Sequence, residues 1–95
     1  MRSVVESAEV MAEVDDAKEK WARTDDAWEA ITWVLARDPT CGQPLTEGGH
    51  LRSLVFEGSW AHEMPTIIVL YEIAEHEVVI QKAAFSDARS TAGKA

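Results

Sequence analysis

The sequence has little cysteine, few basic residues and no long hydrophobic run, and each shortage excludes a class of protein. A single cysteine, Cys41, cannot form an internal disulfide, so the chain is not a disulfide-stabilised secreted scaffold. No apolar run approaches the roughly 20 residues that a membrane-spanning helix needs, and the N-terminus MRSVVESAEV lacks the apolar core of a secretory signal. We therefore expect a cytoplasmic protein that does not associate with membranes.

The chain is acidic, because 9 Lys and Arg stand against 17 Asp and Glu, which gives a formal net charge of −8 and a pI near 4.7. This charge opposes broad attraction to nucleic acid, since phosphate binding depends on clustered cations. The acidic residues are concentrated in the first third of the chain, so the second half is locally less negative. Even there, the only basic residues in the predicted strands are Arg52 and Lys82, and Arg89 follows just beyond them.

Two helices are predicted in the first half. Apolar residues recur at helical spacing over about 8–21, with Ser7 as a typical cap before them. They are Val10, Val14, Ala17 and Trp21. Asp26, followed by Glu29 three positions later, has the capping-box spacing, so a second helix is predicted from there to about Arg37. Its predicted buried stripe is Ala27, Ile31, Val34 and Leu35, with Trp28 at the margin and Trp33 on the opposite side.

The second half is predicted to be an antiparallel sheet. Three β-rich runs, HLRSLVFEG, TIIVLYEIA and EVVIQKAAF, follow one another without a helix-length gap, and such short connections join antiparallel neighbours. A short strand at 2–5 precedes the helices. The predicted fold is therefore α+β, with an N-terminal short strand and two helices packed on a C-terminal three- to four-stranded antiparallel sheet. At 95 residues the chain forms one domain over 1–90, with 91–95 as a flexible tail.

Alternation in the middle strand defines two sheet faces. Tyr71 lies on the face that carries Ile67 and Val69, and this face is expected to pack on the helices. Ile68 and Leu70 make the second face apolar as well, so we expect it to be covered by a partner, by a second copy in a homodimer, or by the chain's own tail. Alternation in the last strand groups Lys82 with the apolar side chains Val78 and Ile80.

Five segments of the sequence resemble the RelE/ParE superfamily of bacterial type II toxin–antitoxin systems: DPTCGQPL, HLRSL, VLYEI, EVVI and FSDAR. The resemblance implies a cognate antitoxin as partner. Ribosome-dependent members of this family cleave messenger RNA without a metal or other cofactor, so the resemblance also implies the ribosome and mRNA as partners. Such cleavage needs cations at the phosphate and a group that transfers protons. The candidate phosphate clamps are Arg52, Lys82 and Arg89, and the candidates for proton transfer are Tyr71, His50 and His62.

The sequence departs from the family pattern at two places. In the nucleases an Arg usually stands three positions before the Tyr of the middle strand, and here that position is Ile68. In DNA-gyrase-directed members a His often stands where this chain has Ser86. The alternative hypothesis is a non-catalytic, antitoxin-binding or gyrase-directed module that acts through Trp33, Trp60 and the second sheet face.

Several candidate residues also have a plainly structural interpretation. Arg52 can pair with Glu57 or Glu72 on the surface, and Tyr71 can be a core residue whose hydroxyl finds one partner. The segment 75–77, Glu-His-Glu, is interpreted as a polar turn because it lacks the ligand spacing of a zinc site. We therefore predict no metal, and we interpret Cys41 as a plain reduced thiol.

Overall fold

A computed structural model describes residues 2–88, which form two helices packed on one face of a five-stranded sheet. The elements are β1 (Ser3–Glu6), α1 (Ala8–Lys20), α2 (Thr24–Arg37), β2 (Gln43–Pro44), β3 (Leu51–Phe56), β4 (Thr66–Ile73) and β5 (Glu77–Ser86). Single 3-10 turns lie at Pro39–Cys41 and Trp60–His62. The α+β class is confirmed. The predicted tail, 91–95, lies outside the described residues.

The sheet is mixed, which corrects the prediction of three or four antiparallel strands. Its strand order is β1-β5-β4-β3-β2, with β1 parallel to β5 and every other neighbouring pair antiparallel. The fifth strand, β2, contributes only Gln43 and Pro44, which pair with Ser53 and Arg52. Two residues in a Pro- and Gly-rich loop carry no periodic signal, so sequence patterning does not detect this strand.

Helix α1 agrees with its prediction to within one residue at its end. The Ser7 hydroxyl caps the helix by accepting a hydrogen bond from the Val10 N–H at 3.1 Å. The buried residues of the helix are Val10, Val14 and Ala17. Trp21 follows the helix, half-buried, and its indole N–H donates to the Asp87 carboxylate at 2.9 Å. This bond ties the end of α1 to the segment that follows β5.

No helix within residues 2–88 has the length and hydropathy needed to span a bilayer.

Helix α2 begins at Thr24, two positions earlier than the capping-box prediction. Asp26 does not cap the helix, because its carboxylate pairs with Arg23 on the surface. Thr24 is fully buried, and its hydroxyl donates to the carbonyls of Trp21 at 2.8 Å and Ala17 at 3.1 Å. These bonds fold the start of α2 onto the end of α1.

The buried stripe of α2 is rotated relative to its prediction. Trp28, predicted at the margin, is only 7% exposed, whereas Val34, predicted in the core, is 41% exposed. The Trp28 ring packs on Phe85 with ring centroids 5.9 Å apart, and its N–H donates to Glu6 at 3.1 Å. Because the large indole is drawn toward β1 and β5, the helix turns Val34 outward.

The core lies between the helices and one sheet face, and its largest fully buried side chains include Ile31, Leu35, Ile67, Val69, Tyr71, Val78 and Ile80. A register shift interrupts the β4–β5 ladder, so Tyr71 pairs with Ile80 while Leu70 pairs with Lys82. Residues opposite each other in a ladder share a face. Lys82 is therefore exposed beside Leu70 on the outer face, away from Val78 and Ile80. The prediction that grouped it with those two residues is wrong, because a β-bulge breaks the two-residue alternation.

We predict that Thr24→Val lowers the free energy of unfolding by about 1–2 kcal/mol, because it keeps the shape of the side chain but removes a buried hydroxyl that bonds two carbonyls. Thr32→Val is the matched control on the same helix, since the Thr32 hydroxyl bonds the Glu29 carbonyl near solvent. Urea unfolding followed by circular dichroism measures both. Equal losses in the two variants would contradict a special role for Thr24.

Candidate functional site

Tyr71, a candidate for proton transfer, lies in the core with no solvent-exposed surface. Its hydroxyl donates to the Pro39 carbonyl at 2.6 Å and accepts from the Gly42 N–H at 3.0 Å. A phenol with both a donor and an acceptor partner has its hydrogen bonding satisfied inside the fold. This geometry favours the interpretation of Tyr71 as a core residue.

Arg52, a candidate phosphate clamp, is directed at backbone carbonyls of the same loop. Its Nε donates to the Gly49 carbonyl at 2.8 Å, and one Nη donates to the carbonyls of Gly42 at 2.9 Å and Thr40 at 3.1 Å. Arg52 also stands opposite Tyr71 in the β3–β4 ladder, so both side chains share the helix-facing side of the sheet. We call Tyr71 and Arg52 the loop clamp, because together they hold the segment 39–49.

The structural partner predicted for Arg52 was wrong. Ion pairs among residues 2–88 do not include Arg52 with Glu57 or Glu72. Glu72 instead accepts a hydrogen bond from Gln81 at 3.1 Å. The guanidinium is bound by loop carbonyls because its strand position points it to the helix side, where the loop passes, and not toward Glu72 on the outer face.

Gly42 shows how closely the loop approaches the clamp. A Cβ at this position would lie 2.5 Å from both the Ser53 carbonyl oxygen and the Tyr71 hydroxyl oxygen. Such a distance is far inside van der Waals contact, so only glycine fits here. The clamp and this glycine together fix the path of the chain into β2.

The pKa shifts of Tyr71 and of the neighbouring Cys41 do not favour a base or a thiolate. Burial raises the pKa of Tyr71, so the hydroxyl stays protonated well beyond neutral pH and is not a base. Burial and the neighbouring Asp38 raise the pKa of the Cys41 thiol, which reduces its thiolate content. Both directions are opposite to those that general-base or thiolate catalysis requires.

The remaining candidates for RNA cleavage do not join the clamp. Lys82 is exposed on the outer face, so the thickness of the sheet separates it from Arg52 and Tyr71. His62 lies in the exposed 3-10 turn before β4, where its Nδ1 is hydrogen-bonded to the Ser59 hydroxyl at 2.7 Å. His50 is exposed at the start of β3. Arg89 lies outside the described residues.

The outer sheet face carries an exposed apolar patch. Val55 on β3 and Ile68 on β4 stand opposite each other in the ladder and are 55% and 47% exposed. Ala84 extends the patch onto β5, since it pairs with Ile68, and Leu70 beside it is half-buried. We call Val55, Ile68, Leu70 and Ala84 the outer patch. Sequence analysis identified Ile68 and Leu70 but not Val55, although strand alternation sets Val55 apart from the inward-facing Leu54 and Phe56.

Acidic residues border the outer patch at one end. An open groove of about 400 Å³ lies where β3 and β5 end and β4 begins, and Val55, Glu57, Thr66, Ser86 and Asp87 line it. Glu57 and Asp87 line this groove together with Val55, and the Asp87 carboxylate also accepts the hydrogen bond from Trp21.

The two tryptophans predicted as contact residues are both exposed. Trp33 lies on the outer side of α2, and the Arg37 guanidinium stacks over its ring at 4.4 Å. Trp60 lies in the 3-10 turn between β3 and β4. Neither ring lies in the outer patch, since Trp33 is on the helix layer and Trp60 on a connecting loop.

Within residues 2–88, no three His, Cys, Asp or Glu side chains come together as a metal-binding cluster. Comparisons of the chain with protein-family models, curated proteins and solved structures find no match. The functional assignment therefore depends on the residues themselves and on their placement.

We predict that Tyr71→Phe lowers the free energy of unfolding by about 1–3 kcal/mol, because it leaves the buried Gly42 N–H and Pro39 carbonyl without their partner. Urea unfolding measures the loss. Phe85→Leu, a change to a partly buried ring on the neighbouring strand, controls for general loosening of the core. An unchanged free energy of unfolding in Tyr71→Phe would show that the hydroxyl has no structural role.

We predict a pH dependence that Tyr71→Phe removes. The pKa of Tyr71 is raised above its ordinary value near 10, and unfolding restores that ordinary value. As pH rises, the unfolded chain therefore releases this proton first. The stability that the protonated Tyr71 hydroxyl gives the folded state is fully present below about pH 10, and it is lost as pH rises from there through the raised pKa. Urea unfolding at about pH 9 and about pH 11 measures this effect. The free energy of unfolding should fall more between these two pH values in the wild type than in Tyr71→Phe. Equal losses would contradict the shift.

Proposed function

We propose that this chain is a divergent RelE/ParE-like protein of a type II toxin–antitoxin module, and that it acts by binding another protein and not by cleaving RNA. Its partner is a cognate antitoxin that covers the outer patch with an apolar and basic segment. The family assignment is supported by the motifs DPTCGQPL, HLRSL, VLYEI, EVVI and FSDAR and by the order of elements, a strand and two helices before the sheet.

The placement of the candidate catalytic residues carries this proposal. Metal-free RNA cleavage requires several cations and a proton-transfer group around one phosphate. Here the Arg52 guanidinium is hydrogen-bonded to three loop carbonyls, and the Tyr71 hydroxyl is buried with two partners. Lys82 is on the other side of the sheet. These three residues therefore have no shared position at which a phosphate contacts all of them.

The outer patch supports protein binding directly. Val55 and Ile68 form an exposed apolar pair in the middle of a sheet, where burial against a partner removes apolar surface from water. The acidic residues Glu57 and Asp87 line the groove next to Val55, and the chain as a whole has a formal charge of −8. A basic segment gains from this field, whereas an RNA backbone is repelled by it.

We predict that Ile68→Lys abolishes partner binding, because it places a charge in the centre of the outer patch. The tagged chain is isolated from its own host and analysed by size-exclusion chromatography, where the wild type should elute with one stoichiometric basic partner. Ile68→Val and Lys82→Ala, on the same face, should keep that partner. A wild-type chain that elutes alone as a monomer would contradict the proposal.

The same preparations test the rival activity. We predict that the purified chain leaves mRNA intact in a bacterial translation extract, as read by primer extension on a defined message. Cleavage by the wild type that Lys82→Ala abolishes would show that the chain is a ribosome-dependent nuclease after all. The extract also reports bulk protein synthesis, which should be unchanged.

A further inference from the structure

The edge of the sheet at β3 is only partly covered. Strand β2 consists of Gln43 and Pro44, which pair with Ser53 and Arg52, so the second half of β3 has no neighbouring strand on that side among residues 2–88. Natural proteins usually shorten, charge or cover such an edge, since an open strand edge is a template for another chain. Among the strands that residues 2–88 form, none pairs with the apolar sequence Leu-Val-Phe at 54–56 on this side.

The backbone groups that face this edge can be assigned from the bonds around them. The His50 carbonyl accepts from the Ile73 N–H of β4 at 2.7 Å, whereas the Leu51 carbonyl accepts from the Leu45 N–H on the β2 side at 2.8 Å. In an antiparallel ladder these directions alternate along the strand. The backbone N–H and carbonyl of Ser53 and of Val55 therefore point toward the same sheet edge as those of Leu51. Ser53 is paired with Gln43, and the Val55 N–H and carbonyl face the open edge.

An apolar groove runs beside this edge on the helix side of the sheet. It has a volume of about 140 Å³, and it is lined by Ala30, Ile31 and Val34 of α2 and by Leu54, Val55 and Phe56 of β3. Its walls are almost entirely apolar, and Val34 is exposed because of the rotation of α2. On the other side of the sheet, the same edge borders the outer patch through Val55.

These features specify the geometry of an occupant. The N–H and carbonyl of Val55 match an extended backbone, because a neighbouring strand presents a carbonyl and an N–H at that spacing. Successive side chains of such a strand point to opposite faces, so one set enters the groove under α2 and the other set lies beside Val55 on the outer patch. Apolar side chains fit the groove under α2, and basic side chains on the opposite face of the added strand lie close to the exposed Glu57.

The charge of the chain favours a partner of a different sequence over a second copy. Two copies would bring together two chains of formal charge −8, and exposed Glu57 follows directly after the free edge. A basic segment is attracted by the same charges. We propose that β3 binds an extended, apolar and basic segment of another protein as an added strand at Val55. This inference rests on the proposed function, since it names how the protein partner binds.

A synthetic peptide of eight residues that alternates valine with lysine is the test probe. It is titrated into the ¹⁵N-labelled full chain, and two-dimensional NMR follows the backbone amides. We expect shifts at Val55 and Glu57 and at Ala30 and Val34 of the groove wall. The same peptide methylated on every backbone nitrogen has the same side chains without the N–H donors, and it should not bind.

Two variants test the strand geometry. Val55→Pro removes the N–H that faces the edge and places a ring in the path of the added strand, and proline is tolerated at such an edge position because the N–H makes no bond in the sheet. It should weaken binding by about tenfold or more, while Val55→Thr, which keeps the N–H and the branched shape, stays within about twofold. Val34→Lys should also weaken binding, because it blocks the groove without touching the sheet.

Each contrary result overturns the strand-addition proposal in a recognisable way. Shifts confined to Ile68 and Leu70, with unchanged affinity in Val55→Pro, would place binding on the outer patch and leave the proposed function standing. A wild-type dimer that Val55→Pro converts to a monomer would identify a second copy as the occupant. No binding at millimolar peptide would exclude the edge as a site, and partner elution with the Ile68 variants still tests the proposed function separately.

Discussion

The buried hydrogen bonds of the Tyr71 hydroxyl are the interaction on which the rest of this structure depends. They join the central strand of the sheet to Pro39 and Gly42 and therefore fix the loop between the helices and the sheet. Arg52 adds three bonds to the same loop from the neighbouring strand. Because the loop is held there, β2 begins next to the clamp and covers only the first half of β3. By fixing the position of β2, the clamp determines which part of β3 has a neighbouring strand and which part has none.

This constraint links the fold to function. A phenol and a guanidinium in adjacent strands resemble the parts of a phosphate-cleaving site, but their hydrogen bonds are committed to backbone groups inside the fold. The chemistry left at the surface is apolar with an acidic border, on the outer patch and along the open edge of β3. Both surfaces meet at Val55. One partner segment that pairs with the edge can therefore also bury part of the patch, which favours a single protein interface.

Sequence patterning predicted the elements whose signal is periodic and failed where structure depends on contacts between distant residues. The apolar stripe over 10–17 predicted α1 correctly, and the alternation in β4 predicted the face that is buried in the core, which carries Ile67, Val69 and Tyr71. Both patterns are local in the sequence, so they can be detected without the fold. The bulge that moves Lys82 to the outer face has no local signal, since it depends on the register between two strands. The rotation of α2 follows from where Trp28 finds Phe85 and Glu6, which are distant in sequence. The role of Arg52 depends on a loop path that only the folded chain defines.

Site-resolved amide hydrogen exchange of the wild-type chain tests this account most directly, because one experiment reports on both the clamp and the open edge. We expect the Gly42 amide, although it lies in a loop, to be strongly protected by its bond to the buried Tyr71 hydroxyl. We also expect the Val55 amide, one residue before the end of β3, to exchange rapidly while the amides of Leu54 and Phe56, which face β4, exchange slowly. A rapidly exchanging Gly42 would contradict the clamp, and a Val55 amide as protected as its two neighbours would contradict the open edge.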